Sequence, residues 1–373
     1  MKYYIIAGEA SGDLHAGNLI KEFKTLDTNS EFRGFGGDNM EKQGANITLH
    51  YSEMAFMGVW EVLKNLKTIK RNFKICEEDL LSYKPDALIL VDYAGFNLRM
   101  AKFAKEHGIP TLFYISPKVW AWKKSRIKKI KAYVDKLYVI LPFEKEYFGK
   151  RDYEVDYVGN PLVDAIEGFQ PKHNAEDFKK ENNLETLPII ALLSGSRKQE
   201  IDRCLPEMLK AVSQQCCYQF VIAGAPSIPK DYYNQYLNQE RVKIVYDQTY
   251  ELLSHAEAAI VTSGTATLET ALFKVPEVVI YKTSPMTYII ARPFVWIKFF
   301  SLVNLIMDKE VVKELLQFKL ASKIKKEMNS ILYDDEYKQK MLDNYTELKN
   351  KVGTSGVSKR TATLMYQYLT DNN

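Results

Sequence analysis

Two short runs of small and hydroxylated residues in the second half of the chain have the composition of phosphate-binding loops. Each follows an apolar strand and opens a helix, so its N–H groups and the positive end of the helix dipole would face an anion. The guanidinium of Arg197 could hold phosphate oxygens in a bidentate geometry. The predicted diphosphate-binding residues are Ser194, Gly195, Ser196 and Arg197 in the first run and Ser263, Gly264 and Thr265 in the second.

Both runs also have simpler interpretations. Arg197 could pair with Glu200 or Glu207 at the surface, and Ser263 could cap a helix that binds no ligand. We favour nucleotide binding because two loops suited to anions occur in the same half of the chain. Glu269 lies about one to two turns into the second helix, where its carboxylate could accept hydrogen bonds from both hydroxyls of a ribose.

A carboxylate that could act as a general base stands at a strand end in the first half of the chain. Asp92 follows the apolar run 87–91, so its side chain would project from the carboxyl end of the sheet. It could equally cap the helix that begins near Leu98. The residues by themselves leave both interpretations open.

The run 8–13, which contains Glu9, lies where the first strand passes into the first helix. Its small residues would let the backbone approach a ligand closely, or they form a tight turn capped by Ser11 or Asp13. It does not match GxGxxG, so it does not indicate a dinucleotide-binding site. A second glycine-rich run, 34–37, is expected to form a turn with positive φ.

Short apolar runs alternate with helical patterns through most of the chain, which is typical of parallel α/β sheets. The polar segment 168–185 interrupts the alternation, and we interpret it as the junction between two domains. Two sheets in tandem predict a ligand cleft between the domains, at the carboxyl ends of the strands. The predicted strands are 3–7, 31–33, 87–91, 111–115, 136–140 and 155–158, and then 188–193, 219–223, 242–245, 258–261 and 278–281. After Tyr281 we expect only helices, at 309–328, 335–352 and 358–369.

Composition excludes several classes of protein. The 373 residues include 51 Lys and Arg against 47 Asp and Glu, and the net charge of +4 gives little support to nucleic-acid binding. The four cysteines form no CxxC pair and the five histidines are scattered, so we expect no metal and a reducing, cytoplasmic location. Arg292, Pro293 and Lys298 interrupt the longest apolar stretch, which argues against a membrane-spanning helix. The sequence contains no GxSxG motif, so it does not indicate a serine nucleophile.

Trp120 and Trp122 precede a run rich in lysine. The tryptophans could stack the bases of a nucleic acid, which we rank last because of the low net charge. They could instead lie at a membrane interface, with the lysines facing anionic headgroups. The simplest alternative is a solvated helix face beside core tryptophans.

Nine segments, taken together and in this order, resemble the lipid-A-disaccharide synthases, a family of bacterial glycosyltransferases. The resemblance extends from Gly8 to about Gln317. Any one segment would be a weak signal, whereas nine in the family's order are specific. The segments are AGEASGD (7–13), FMGVWEVL (56–63), VDYAGFNL (91–98), YISPKVWAW (114–122), ILPFEKEYF (140–148), YVGNPLVD (157–164), LLSGSRKQEI (192–201), TSGTATLETAL (262–272) and SLVNLIMDKEVVKELLQ (301–317).

The resemblance implies a GT-B fold, an α/β architecture of two Rossmann-like domains with a cleft between them and a helical C-terminal tail. The acceptor-binding, membrane-facing domain would comprise residues 1–167 with the tail 353–373, and the domain that binds the UDP-sugar donor would comprise residues 168–352. The implied reaction is an inverting transfer of 2,3-diacylglucosamine from its UDP derivative to 2,3-diacylglucosamine 1-phosphate, with a new β-1,6 linkage and release of UDP. The enzymes of this family are peripheral proteins on the cytoplasmic face of the inner membrane. The expected partners are therefore the two lipid substrates and an anionic membrane surface, without nucleic acid, cofactor or metal.

The resemblance also suggests roles for particular residues. Asp92 would deprotonate the acceptor, and Arg197 would absorb charge on the departing diphosphate. Glu269 would hold the ribose and Asn304 would contact the donor, while Glu9 would position a sugar. The acyl chains would need an apolar site, and the members of one dense apolar segment, 55–63, are either core or part of a membrane-facing groove.

The chain departs from the family pattern at several positions. Ala94 and Gly95 stand where Pro and a second Asp are usual, which leaves Asp92 as the only carboxylate in that segment. The other departures are Ser194, Val303 and Lys313, each in place of Pro. The alternatives to this function are another GT-B-type UDP-sugar enzyme, such as a UDP-N-acetylglucosamine epimerase or a peptidoglycan glycosyltransferase, and a non-catalytic protein that binds nucleotide sugar or lipid.

Overall fold

The computed structural model describes residues 1–54, 66–120, 125–213, 217–237, 241–284 and 298–372. The chain forms two units. The front unit comprises Met1–Asp164 and Thr354–Asn373, and the rear unit comprises Ala165–Gly353. The predicted domain boundaries, at 167/168 and 352/353, lie close to these two crossings.

The front unit is built on a seven-stranded parallel sheet. Its strands are β1 (Lys2–Ala7), β2 (Glu31–Gly36), β3 (Asn46–His50), β4 (Ala87–Val91), β5 (Thr111–Tyr114), β6 (Lys136–Val139) and β7 (Asp156–Tyr157). They lie side by side in the order β3-β2-β1-β4-β5-β6-β7. The order reverses between β1 and β4, and α/β sheets bind ligands at such a point, outside the carboxyl ends of the strands. We call this place the front switch point.

The rear unit is built on a six-stranded parallel sheet. Its strands are β8 (Ile189–Leu193), β9 (Gln219–Gly224), β10 (Val242–Tyr246), β11 (Ala256–Thr262), β12 (Glu277–Tyr281) and β13 (Glu314–Leu316). The order β10-β9-β8-β11-β12-β13 reverses between β8 and β11, which we call the rear switch point. The two-sheet α/β architecture predicted from the sequence is confirmed.

Helices cover both faces of each sheet, so the central strands are continuous apolar runs rather than alternating ones. Along β1, Tyr3 and Ile5 face one core cluster of the front unit and Tyr4 and Ile6 face the other, as the two-residue period of a strand requires. The helices are α1 (Ala10–Leu26), α2 (Asp38–Lys42), α3 (Leu66–Tyr83), α4 (Ala94–Glu106), α5 (Arg126–Tyr133), α6 (Pro142–Gly149), α7 (Pro161–Glu167), α8 (Ala175–Glu181), α9 (Lys198–Val212), α10 (Thr249–Ser254), α11 (Thr265–Leu272), α12 (Leu302–Met307), α13 (Leu320–Tyr333), α14 (Asp335–Val352) and α15 (Val357–Asp371).

The last helix, α15, belongs to the front unit and packs against α1. Met365 and Leu369 from α15 are buried in the same core cluster as Leu19 of α1. The carboxylate of Asp164 accepts hydrogen bonds from the first N–H groups of this helix, at 2.7 Å from Gly356, 3.1 Å from Val357 and 3.2 Å from Ser358. A negative charge at a helix N-terminus is stabilising, so Asp164 fixes the start of α15 next to the end of the first chain segment.

Two predictions of local structure are wrong in the front unit. Residues 34–36 are part of β2 rather than a turn, and the strand β3 is missing from the predicted set. A Cβ atom at Gly34 would lie 1.9 Å from the carbonyl oxygen of Ile5, so the glycine allows β2 to pass close to β1. A glycine that serves a close approach looks the same in the sequence as one that serves a turn.

The prediction for residues after Tyr281 is confirmed at 335–352 and 358–369, where the structure has the last two helices, and is wrong at 309–328. Residues 314–316 form β13, which pairs with β12, and the next helix begins only at Leu320. A short apolar run such as ELL fits a strand or a helix equally well, so periodicity does not distinguish them. Gln317 and Lys319 then adopt positive φ values of 58° and 52°, which separates the strand from the helix.

Candidate active site

Asp92 lies at the front switch point, directly after β4. Its N–H donates to the carbonyl oxygen of Tyr114 at 3.0 Å, and its own carbonyl oxygen accepts from Nδ2 of Asn97 at 2.7 Å. Asp92 and Tyr93 both adopt the left-handed backbone conformation, with φ of 48° and 45°. Such conformations cost about 1–3 kcal/mol each for non-glycine residues and concentrate at functional sites. Tyr93 is the N-cap of α4, so the alternative that Asp92 caps this helix is wrong.

The environment of Asp92 makes its carboxylate more basic. Burial raises the pKa of Asp92 above its ordinary value, and the positive charge of Lys118 and the N–H of Tyr93 offset part of that rise. A general base benefits from a raised pKa because it then holds the abstracted proton more firmly. Sequence reasoning misses Lys118, because only the pairing of β4 with β5 brings the segment after Tyr114 to Asp92.

Glu9 reaches the same switch point from β1. It is the N-cap of α1, and its carbonyl oxygen accepts from the N–H of Asp13 at 2.9 Å. Burial raises the pKa of Tyr93, and the charge of Glu9 raises it further. A Cβ atom at Gly8 would lie 2.3 Å from Cδ1 of Tyr93, so the tyrosine ring packs directly on this glycine. The structure therefore brings Glu9 and Asp92 together around Tyr93.

Asp13 stabilises a different helix from the one that the sequence suggests. Its buried carboxylate accepts from the N–H groups of Gly37 at 2.7 Å, Asn39 at 3.0 Å and Met40 at 3.2 Å, and from Nδ2 of Asn39 at 2.8 Å. These groups open α2, so neither Asp13 nor Ser11 caps α1. The bonds fix the end of β2 beside the loop that carries Glu9.

The first predicted phosphate loop lies at the rear switch point, after β8. Ser194 is fully buried, and its hydroxyl has no hydrogen-bond partner among the residues described. Gly195 adopts a φ of 106°, which side chains rarely tolerate, and a Cβ atom there would lie 2.6 Å from Oε2 of Glu200. The loop thus combines a buried polar group with a backbone that only glycine accommodates.

Arg197 forms one of the two surface pairs considered for it. Its Nη1 lies 3.5 Å from Oε1 of Glu200, while the N–H of Ser196 donates to Oε2 of the same residue at 3.1 Å. Glu207 instead pairs with Lys282 at 2.6 Å. The side chain of Arg197 is 57% exposed, and pairs this exposed contribute little to stability. The guanidinium can therefore turn to an incoming anion at small cost.

The second predicted loop follows β11 at the same switch point. The N–H of Ser263 donates to the carbonyl oxygen of Ile280 at 2.9 Å, and its hydroxyl donates to that of Phe300 at 2.9 Å. Because both donors are engaged, an anion here would depend on the N–H groups of Gly264 and Thr265 in the first turn of α11. Gly264 is the N-cap, so the alternative that Ser263 caps this helix is wrong.

Glu269 is held in place by a tyrosine. The hydroxyl of Tyr250 donates to Oε1 of Glu269 at 2.8 Å. Burial raises the pKa of Glu269, and the bond from Tyr250 offsets part of the rise. The ring of Tyr250 packs against Phe169 and Phe273, with centroids 5.5 and 5.1 Å away. Sequence reasoning misses Tyr250, because it precedes the strand β11 and only the fold returns it to α11.

Asn304 is buried, and its amide is engaged within the protein. Oδ1 accepts from the N–H groups of Val311 at 2.7 Å and Val312 at 3.0 Å. Nδ2 donates to the carbonyl oxygen of Val312 at 2.8 Å and to Oε1 of Glu314 at 2.9 Å. These four bonds use the normal hydrogen-bonding capacity of a side-chain amide. The predicted contact between Asn304 and the donor is not tested by the structure and stays a prediction.

The tryptophan- and lysine-rich segment is described in part. Trp120 donates from Nε1 to Oε1 of the buried Glu144 at 3.3 Å, and burial raises the pKa of Glu144 to about 7. On α5, Lys128 and Lys129 are exposed while Ile127 is buried, which fits a solvated helix face. Trp122 and the apolar segment 55–63 lie outside the described residues.

Comparison with known proteins gives a match over nearly the whole chain. A family model described as lipid-A-disaccharide synthetase matches residues 3–365. The chain belongs to this family. Its members are glycosyltransferases, and membership extends across the segments that carry Glu9, Asp92, Arg197, Glu269 and Asn304.

Curated relatives in the family match over nearly their whole length. The lipid-A-disaccharide synthase of Trichlorobacter lovleyi is 36% identical over 369 residues, which are 97% of this chain and 96% of that one. The enzyme of Syntrophus aciditrophicus is 35% identical over 368 residues, and the match covers 96% of each chain. The enzyme of Coxiella burnetii is 34% identical and covers 98% of each chain.

Solved structures share the fold at low sequence identity. A putative UDP-N-acetylglucosamine 2-epimerase of Listeria monocytogenes superimposes with a TM-score of 0.70 at 13% identity, over 100% of this chain and 97% of its own. The UDP-GlcNAc 2-epimerase of Neisseria meningitidis, bound to UDP-GlcNAc, has a TM-score of 0.61 at 14% identity and covers 100% of each chain. These likenesses show the GT-B fold alone, and the epimerase alternative is not favoured by them.

None of the helices in the described part of the chain has the length and apolar character needed to cross a membrane.

Proposed function

We propose that the protein transfers 2,3-diacylglucosamine from its UDP derivative to 2,3-diacylglucosamine 1-phosphate, forming the β-1,6-linked disaccharide 1-phosphate and UDP. Membership of the lipid-A-disaccharide synthase family supports this reaction. The main structural support for the chemistry is the environment of Asp92, whose carboxylate has a raised pKa and lies on a strained turn at the front switch point. Strained, basic carboxylates at such a place are typical of catalytic groups.

In the proposed reaction, Asp92 accepts the proton of the acceptor's 6-hydroxyl. The oxygen of that hydroxyl forms a bond to the anomeric carbon of the donor sugar as the bond from that carbon to the diphosphate breaks. The diphosphate leaves with the bonding electron pair, and Asp92 keeps the proton. The reaction is therefore a single displacement that inverts the anomeric centre. Positive charge grows on the sugar and negative charge grows on UDP in the transition state.

The groups at the rear switch point fit the task of absorbing that negative charge. The N–H groups of Gly264 and Thr265 provide donors and positive potential that need little rearrangement during the reaction. Arg197 and the loop of Ser194 to Ser196 add to them once the guanidinium and the N–H of Ser196 leave the carboxylate of Glu200. Preorganised donors of this kind each contribute about 10²–10³ in rate where they have been removed from other enzymes. The scheme requires no metal ion.

Two further carboxylates have binding roles in the proposal. Glu269, oriented by Tyr250, accepts hydrogen bonds from the ribose hydroxyls of UDP. Glu9, beside Tyr93 at the front switch point, positions a sugar near Asp92. Neither role requires proton transfer, so conservative amide variants should affect KM more than kcat.

The proposal also places the protein at the cytoplasmic face of the inner membrane. Substrates with two acyl chains remain in a bilayer, so an enzyme that uses them must work at its surface. The exposed lysines of α5, Lys128 and Lys129, suit an anionic surface, since each basic residue near anionic lipid contributes about 1 kcal/mol.

One assay tests the reaction directly. The purified protein is incubated in detergent micelles with the diacylated UDP donor and the diacylated acceptor, and UDP release is measured together with disaccharide formation. We expect equal amounts of both products. Conversion of UDP-N-acetylglucosamine without detergent would support an epimerase instead, and binding of UDP or lipid without turnover would support a non-catalytic protein.

A further inference from the structure

Glu314, the first residue of β13, lies at the centre of a group of hydrogen bonds. Its Oε2 accepts from the N–H of Phe300 at 2.7 Å. Its Oε1 accepts from the N–H of Ser301 at 2.9 Å, from Oγ of Ser301 at 2.9 Å and from Nδ2 of Asn304 at 2.9 Å. One carboxylate therefore holds the turn at 300–301 and the first residues of α12.

This arrangement requires an ionised carboxylate. Four donor groups converge on two oxygens, and an ionised carboxylate has about four acceptor positions and no hydrogen of its own. A glutamine has nearly the same shape, but its NH₂ group would face either the N–H of Phe300 or the donors of Ser301. At least one donor would then lose its acceptor, and the turn would have to move.

Two hydrogen-bonded links join the turn at 300–302 to the loop after β11. The carbonyl oxygen of Phe300 accepts the hydroxyl of Ser263 at 2.9 Å. The N–H of Leu302 donates to Oγ1 of Thr267 at 3.3 Å, and that hydroxyl donates to the carbonyl oxygen of Gly264 at 2.9 Å. Glu314 thus holds the 300–302 turn in its place, and the turn holds the N–H groups at the start of α11.

We propose that Glu314 is a positioning residue for the diphosphate subsite at the rear switch point. Its negative charge does not face the diphosphate but holds the 300–302 turn, and the turn holds the Ser263–Gly264 peptide in the conformation that binds the anion. The identification of the anion as the diphosphate of UDP rests on the proposed function. Asn304 acts in the same way, since its amide joins Glu314 to the backbone of Val312.

A purely structural role would have a different signature. Loss of general stability would lower the melting temperature and the amount of folded protein, and it would affect donor and acceptor alike. A positioning role at the diphosphate subsite predicts a selective loss, in which UDP affinity and the KM of the donor change while the KM of the acceptor does not.

The test compares Glu314→Gln with Glu310→Gln, a matched change at a nearby exposed carboxylate that pairs with Lys313. UDP binding is measured by calorimetry at a temperature well below the melting temperature of each variant, and the KM values of donor and acceptor are measured separately. We expect Glu314→Gln to weaken UDP binding about tenfold and to raise the donor KM in parallel, because one buried donor is left without its acceptor. The acceptor KM should stay within about twofold, and Glu310→Gln should behave as wild type.

A folded Glu314→Gln protein with wild-type UDP affinity, or with equal losses for donor and acceptor, would overturn the proposal. If Glu314→Gln does not fold, Ser263→Ala decides, because it removes one link and leaves the bonds of Glu314 intact. It should weaken UDP binding about threefold, and an unchanged affinity would count against the link. Wild-type protein that binds UDP but makes no disaccharide would overturn the proposed reaction alone, whereas failure to bind UDP would overturn both.

Discussion

The two switch points have the same topology and opposite electrostatic character. At the front, Glu9 and Asp92 follow adjacent strands, and burial makes the carboxylate of Asp92 more basic. At the rear, the corresponding strand ends carry Arg197 and the first N–H groups of two helices. The first arrangement suits the removal of a proton and the second suits the retention of negative charge, so strand order alone does not determine what a switch point does.

The two places also differ in how their geometry is held. At the front, two consecutive non-glycine residues, Asp92 and Tyr93, adopt left-handed backbone conformations. At the rear, the backbone at Gly195 has the positive φ that suits glycine. Side-chain hydrogen bonds fix the loops there, because the hydroxyl of Ser263 donates to the carbonyl oxygen of Phe300 and the carboxylate of Glu314 accepts from the N–H of Phe300. Front-site variants should therefore change proton removal and its pH dependence, whereas rear-site variants should change UDP affinity and the rate at which the diphosphate departs, without moving the pH profile.

Replacement of Asp92 should have the largest effect. We expect Asp92→Asn to lower kcat by about 10²–10⁴, because the amide cannot accept the acceptor's proton. UDP affinity, measured by calorimetry, should remain within about twofold. Asp371→Asn, at an exposed residue at the end of α15, is the matched control. Near-normal turnover of Asp92→Asn would remove this residue from the mechanism.

Replacement of Arg197 should have the next largest effect, and its main effect should be on UDP affinity. Arg197→Ala should weaken UDP binding about tenfold to a hundredfold, since a hydrogen bond to a charged group contributes about 1.5–3 kcal/mol. The acid limb of the pH profile should not move. Arg203→Ala, on the same helix, should leave UDP affinity unchanged. An equal loss in both variants would mean that the helix contributes only general positive potential.

Replacement of Lys118 should shift the pH profile. Its charge lowers the pKa of Asp92, so Lys118→Met should raise that pKa. Because Asp92 acts in its ionised form, the acid limb of kcat/KM should move to higher pH, with a loss of a few-fold at acidic pH and near-normal rates at alkaline pH. Lys74→Met, at an exposed lysine of α3 that pairs with Glu78, serves as the control. If the acid limb of Lys118→Met stays at its wild-type pH, the ionisation that it reports does not belong to Asp92.

The smallest effect is expected at Gly95, where the family usually has a second aspartate. A Cβ atom there would meet no heavy atom of the described residues within 4 Å. Gly95→Asp should stabilise the first turn of α4 by about 0.5–1 kcal/mol, through helix propensity and the dipole, and should leave kcat unchanged. Gly149→Asp, at the end of α6, should not stabilise, because the dipole there opposes a negative charge. A rise in kcat for Gly95→Asp would indicate a catalytic role for a second carboxylate.

The sequence predicts the sheets better than it predicts the contacts of the site. Runs such as 87–91 are continuous and apolar because both faces are buried, and this leaves a clear signal along the chain. The partners of polar groups leave none: Asp13 binds the backbone near Gly37, and Ser263 binds Phe300. The motifs thus locate Asp92 and Arg197, but they do not show that the Asn304 amide is already engaged or that Glu314 matters.

The membership of α15 in the front unit has a consequence for biosynthesis. A ribosome makes the sheet of the front unit first and the whole rear unit next, yet the face of α1 that packs against α15 stays uncovered until residues 354–372 are made. Domains generally fold as they are made, so the rear unit can reach its final form while the front unit is still incomplete. The half that is translated first is therefore the half that matures last.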